Sequence, residues 1–199
     1  IETGIGPCRI QAEFTFFALI AFCYIFTGAK GGLACFAAVC IHETAHLAVM
    51  GAMGVWPAKL VLSALGCRIE TNGQNDLTDR QNIWISLAGP GANWLSFIIA
   101  YVLGFDGSAF WGASFALALT HSLPIEPLDG GLALRYFLRG KYTYEKAEQI
   151  SRMISTILLV PLAILGFSIL LRTRYNYSLL ALSIYLMLYL VMKWDYTQP

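Results

Sequence analysis

The chain has 199 residues, of which 57% are hydrophobic and 13% charged, with a formal net charge of +1. Soluble domains carry about 45–50% apolar and about 25% charged residues, so this balance, with a mean hydropathy of +0.62, points to lipid as the solvent. The charge and the lack of a basic stripe interleaved with aromatics exclude nucleic-acid binding. Five scattered cysteines exclude a disulfide framework, and the length suits one domain, 1–199.

A helix that crosses the hydrocarbon core needs about 20 mostly apolar residues. Six stretches approach that length, over 12–28, 32–54, 83–104, 109–124, 153–171 and 179–192. The expected fold class is an all-α polytopic membrane protein with about six transmembrane helices. The first stretch is too long for a signal-peptide core and is read as a span. Lys59–Glu70 is short and partly alternating around Gly66, which predicts a small strand or hairpin near the membrane surface. Thr71–Arg80 is polar, contains Asn-Gly and reads as a loop. Tyr142–Arg152 carries charges at helical spacing and predicts a surface helix leading into the fifth span, where Pro161 marks a kink. In a six-span layout only Lys30, Arg172 and Arg174, of the 13 Lys and Arg, fall on the less basic side. Both termini are therefore expected in the cytoplasm.

The second stretch contains Ile41-His42-Glu43-Thr44-Ala45-His46. Residues i and i+4 of a helix share a face, so His42 and His46 can hold one divalent ion, and Glu43 beside them can take a proton from bound water. Ionisable groups inside a span are costly to bury and are functional candidates by default. A catalytic zinc takes three protein ligands and keeps one position open. The third ligand must come from elsewhere, and Asp129 in Leu123-Pro-Ile-Glu-Pro-Leu-Asp-Gly-Gly131 is the best candidate. His121 and Glu126 compete with it, and the plain alternative for Asp129 is to cap a helix starting at Gly130.

The combination resembles the site-2 protease family of intramembrane metalloproteases. His42-Glu-x-x-His46 is similar to its zinc motif, and Leu128-Asp129-Gly130 to the second motif, whose aspartate is the third zinc ligand in that family. Leu87-Ala-Gly-Pro-Gly-Ala-Asn93 resembles the Ala-Gly-Pro-x-x-Asn segment of the intervening span. The resemblance covers roughly 31–139, and the six-span layout is similar to the sporulation branch. It implies one zinc ion on His42, His46 and Asp129, with Glu43 as the catalytic base. It also implies a membrane-embedded or membrane-associated substrate, a regulatory membrane partner and a bacterial cell membrane. One departure stands out: His121 occupies the position where the family has an asparagine that stabilises the oxyanion, a role a histidine donor can also fill. A substrate must present extended backbone, and the edge of the 59–70 segment offers a place to add it as a strand.

Gly89, Pro90 and Asn93 are expected to pack the third span closely beside the site, with Asn93 bonding across helices. The rival readings are a catalytically inactive membrane scaffold of the same family, disfavoured by Glu43, and a membrane metal transporter. A transporter should show further ligands along a path, or internal symmetry. A prenyl-protein protease shares the zinc motif, but Pro124-x-x-Pro-Leu-Asp-Gly130 disfavours it.

Overall fold

The computed structural model describes residues 2–5, 8–55, 59–63, 66–70, 77–174 and 176–196. The chain opens with two short strands, β1 (Glu2–Ile5) and β2 (Cys8–Ala12), followed by α1 (Phe14–Ala52). At about 1.5 Å per residue a straight helix of this length would run about 60 Å. Yet β2 pairs in parallel with β3 (Lys59–Ser63), which follows α1, in the register Arg9↔Lys59 to Ala12↔Leu62. The helix therefore folds back on itself. The reversal falls at Gly28, whose φ of 70° and ψ of 176° leave helical geometry. A positive φ combined with an extended ψ is a region essentially reserved for glycine. Beyond the bend Gly32 lies so close to Tyr24 that a Cβ would stand 3.0 Å from its Cα. The expected stretches 12–28 and 32–54 are thus the two limbs of α1.

β3 and β4 (Gly66–Glu70) pair antiparallel, as the alternation around Gly66 predicts, and complete a sheet of order β1-β2-β3-β4. Ala64, Leu65 and the polar stretch 71–76 lie outside the described residues. β1 and β2 were not expected from the sequence, because the apolar run from Ala12 obscured the strand before it.

α2 (Asp79–Val102) starts on a capping box. Thr78 Oγ1 accepts from Gln81 N at 3.3 Å, and Gln81 Oε1 accepts from Thr78 N at 2.9 Å, which satisfies two otherwise orphaned donors. α3 (Ala109–His121) follows, and Trp94 and Phe97 of α2 meet Trp111 and Phe115 of α3 in a cluster of rings. A bend leads into the short α4 (Asp129–Arg139). The expected surface helix and fifth span form one continuous helix, α5 (Tyr144–Thr173), which runs through Pro161. α6 (Ser178–Tyr196) closes the chain.

Among the described residues three helical segments are long and apolar enough to cross a membrane: Thr27–Ala52, Asp79–Val102 and Tyr144–Thr173. Ser178–Lys193 is a shorter apolar helix. The chain forms two compact units, Ile1–Thr120 and His121–Pro199. The first has a core of Met50, Val55 and Ile85. The second packs Ile125 and Leu128 of the bend against Leu159, Leu186 and Leu190.

Candidate metal centre

In the first unit α1 and α2 meet along two stripes at helical spacing. Ala38, His42 and His46 of α1 are all buried, and so are Ile85, Gly89 and Asn93 of α2. Steps of four residues keep each stripe on one face. Asn93 Nδ2 donates to the Ala38 carbonyl at 3.3 Å, one turn before His42, so the cross-helix bond expected of Asn93 is present. His46 Nδ1 stands 2.6 Å from the Ile85 carbonyl. A carbonyl only accepts, so Nδ1 carries the proton and Nε2 presents its lone pair, the tautomer that binds a metal.

Both Nε2 atoms converge over Gly89. A Cβ there would sit 2.6 Å from His42 Nε2 and closer still to His46 Nε2. The ring centroids are 4.9 Å apart at an interplanar angle of 77°. Zinc–imidazole bonds are about 2.0–2.1 Å long. The absent side chain of Gly89 thus lets both ring nitrogens come up against the same point of α2, and two imidazole donors suit a divalent transition metal. Glu43, the next residue round the helix from His42, is half-buried.

In the second unit His121 and Asp129 come together: Nδ1 lies 2.7 Å from Oδ2. Asp129 is not the helix cap. Leu128 holds that position without a side-chain bond, and Asp129 is the first residue of α4, where a negative charge is favoured. With Nδ1 donating to Asp129, His121 Nε2 can donate only if the ring takes a second proton; otherwise it offers a lone pair. Gly130 and Gly131 let α4 start hard against the bend. A Cβ at Gly130 would lie 2.6 Å from the carbonyl oxygens of Ser122 and Leu123, and one at Gly131 would lie 2.5 Å from Glu126 N.

Glu126, weighed in the sequence as a competing ligand, is instead engaged in an ion cluster. It is 2% exposed, and its Oε2 stands 2.5 Å from Lys193 Nζ and 3.6 Å from an Arg135 guanidinium nitrogen. Burial works against the charge of Arg135, but Glu126 and its neighbours outweigh it and hold the guanidinium above its ordinary pKa. Two site features escaped the sequence reading. The Ile85 carbonyl carries no side-chain signature, and the partnership of Glu126 with Lys193 spans 67 residues.

The fold defines the class: an all-α polytopic membrane protein, here with a small sheet. No protein-family model matches the chain, and no curated protein matches it. Among solved structures it is similar to the site-2 protease from Methanocaldococcus jannaschii, at 23% identity and a TM-score of 0.66, over 94% of this chain and 91% of that one. The chain has the fold of a site-2 protease.

Proposed function

We propose that the chain is an intramembrane zinc metalloprotease that hydrolyses a peptide bond of a membrane-embedded or membrane-associated substrate. The observation that carries the reading is the convergence of His42 and His46 Nε2 over Gly89, within a helix apolar enough to span a bilayer. The proposed ligands are His42, His46 and Asp129. The fold likeness and the order of the sequence motifs support this set.

When bound, zinc supplies Lewis acidity toward water and the scissile carbonyl. Glu43 accepts the water proton and returns it to the leaving amine. His46 is held in its ligating tautomer by the Ile85 carbonyl. His121 is assigned to donate from Nε2 to the developing oxyanion when its ring carries both protons, while its Nδ1 steadies Asp129. An unwound substrate would add at β4, an edge of the sheet. The reading places the protein in a bacterial cell membrane as a multi-pass protein with cytoplasmic termini, beside a regulatory membrane partner.

The test is elemental analysis of the detergent-purified chain with His46→Ala, Asp129→Ala, His121→Ala and Glu43→Ala. The expected result is about one zinc per chain, lost with His46 or Asp129 and kept without His121 or Glu43. Glu43→Ala should abolish cleavage. A wild-type chain without metal would overturn the protease reading in favour of an inactive scaffold. Loss with His121 but not Asp129 would make His121 the third ligand.

A further inference from the structure

Four charged side chains cluster inside the second unit among apolar helices. Glu126 accepts from Ser151 Oγ at 2.7 Å and from Lys193 at 2.5 Å, with Arg135 beside it at 3.6 Å. Lys193 also pairs with Glu148. The backbone N–H of Glu126 donates to Ser155 Oγ at 3.1 Å, and Ser155 in turn donates to the Ser151 carbonyl at 2.9 Å. Ser151 and Ser155 are 0% exposed. One residue of the bend is thus held at its backbone and its carboxylate from α4, α5 and α6.

Such a cluster is a poor device for stability alone. Taking charges out of water is expensive, and apolar side chains of similar volume often do as well or better. What ion pairs and hydrogen bonds add is direction. Direction matters here because Glu126 lies three residues before Asp129, with Pro127 and the buried Leu128 between them. Gly130 and Gly131 let the start of α4 lie directly against the same segment. We propose that Glu126 and Lys193, with Glu148 and Arg135, are positioning residues that set the Asp129 carboxylate against His121 in the orientation a metal requires. The proposal rests on the reading of Asp129 as a ligand. It makes Lys193, near the end of the last helix, a remote determinant of the site.

The test uses the full chain in detergent with Glu126→Gln, Lys193→Met, Lys193→Arg and the double variant Glu126→Gln/Lys193→Met. Three quantities are read: the zinc dissociation constant by chelator competition, the thermal stability of the metal-free protein, and amide hydrogen exchange over 121–131 without metal. Loss of a group bonded directly to a ligand weakens metal binding about 10–100-fold; Glu126 and Lys193 act one step further out, so each Met or Gln single variant should weaken zinc by about tenfold, the low end of that range, with faster exchange over 121–131. Lys193→Arg keeps the charge and should stay near wild type. The double variant removes one charge of each sign, so its stability should recover while zinc stays weak. A brace for stability alone predicts that affinity follows stability back up, and that result would overturn the proposal. Wild-type zinc affinity in all variants would overturn it too. If the wild-type chain binds no zinc, the ligand reading fails separately, and exchange over 121–131 that Glu126→Gln leaves unchanged then sinks the positioning role. Should a single variant not fold, Lys193→Arg and the double variant carry the same comparison.

Discussion

Gly89→Ala is the sharpest perturbation of the proposed centre, because it adds one methyl group where the two imidazoles converge. The new carbon would stand 2.6 Å from His42 Nε2 and nearer to His46 Nε2. Non-bonded heavy atoms rest about 3.5–4.0 Å apart, so the rings must retreat by about 1 Å. His46 is held by the Ile85 carbonyl and His42 is 2% exposed, so neither has free space to enter. Overpacking of this kind costs about 1–3 kcal/mol. The effect on metal should be larger, since ligand distances in a working site vary only within about 0.2 Å. We expect the folded variant to retain less than about a tenth of the wild-type zinc, because the displaced rings no longer meet that tolerance. The assay is metal content and thermal unfolding of Gly89→Ala beside Gly91→Ala. A Cβ at Gly91 meets nothing within 4 Å, so that control should keep its metal and gain about 0.5–1 kcal/mol from helix propensity. If Gly89→Ala keeps full metal and stability, the two rings do not share an ion over this glycine.

Three further outcomes follow from other contacts in the fold. Asn93→Ala removes the bond to the Ala38 carbonyl and should lower stability by about 1–2 kcal/mol; an unchanged urea midpoint would show that the bond contributes nothing to helix pairing. Gly166→Ala would put a Cβ 2.7 Å from the Leu180 backbone nitrogen, where α5 meets the start of α6, and should cost about 1–3 kcal/mol. Gly140→Ala, whose nearest neighbour would be 3.5 Å away, should leave the melting temperature in place, and a drop equal to that of Gly166→Ala would point to backbone rather than packing effects.

The proposed site residues were legible to different degrees. His42 and His46 are readable because a four-residue step on one helix is a local property, and Gly89 and Asn93 share it on α2. Asp129 is readable from its prolines and glycines, but its contact with His121 needs the bend to close, and no local pattern fixes that closure. The Ile85 carbonyl is invisible in principle, since every residue offers one. The charges of 142–152 suggested a surface helix leading into the fifth span; no Gly or Pro separates the two, and the helix continues as α5 from Tyr144 through Pro161 to Thr173. β1 and β2 went unread for a related reason: the strongest signal nearby, the apolar run of α1, belongs to another element. Glu126 was read as a ligand candidate by its chemistry, and only the fold brings Lys193 to it.

The parallel pairing of β2 with β3 also dictates an order of events during synthesis. The two strands end side by side, so the segment between them must cross any bilayer an even number of times or not at all. Gly28 supplies the turnaround. Until Lys59–Ser63 has been made, the β1–β2 hairpin has one edge with no mate. Bare strand edges invite pairing with the wrong chain. Were both limbs of α1 to cross a bilayer, pairing of β2 with β3 would record that the chain had gone out and come back. A chain in which one limb failed to insert would leave β2 and β3 on opposite faces of the membrane, with the hairpin exposed to quality control.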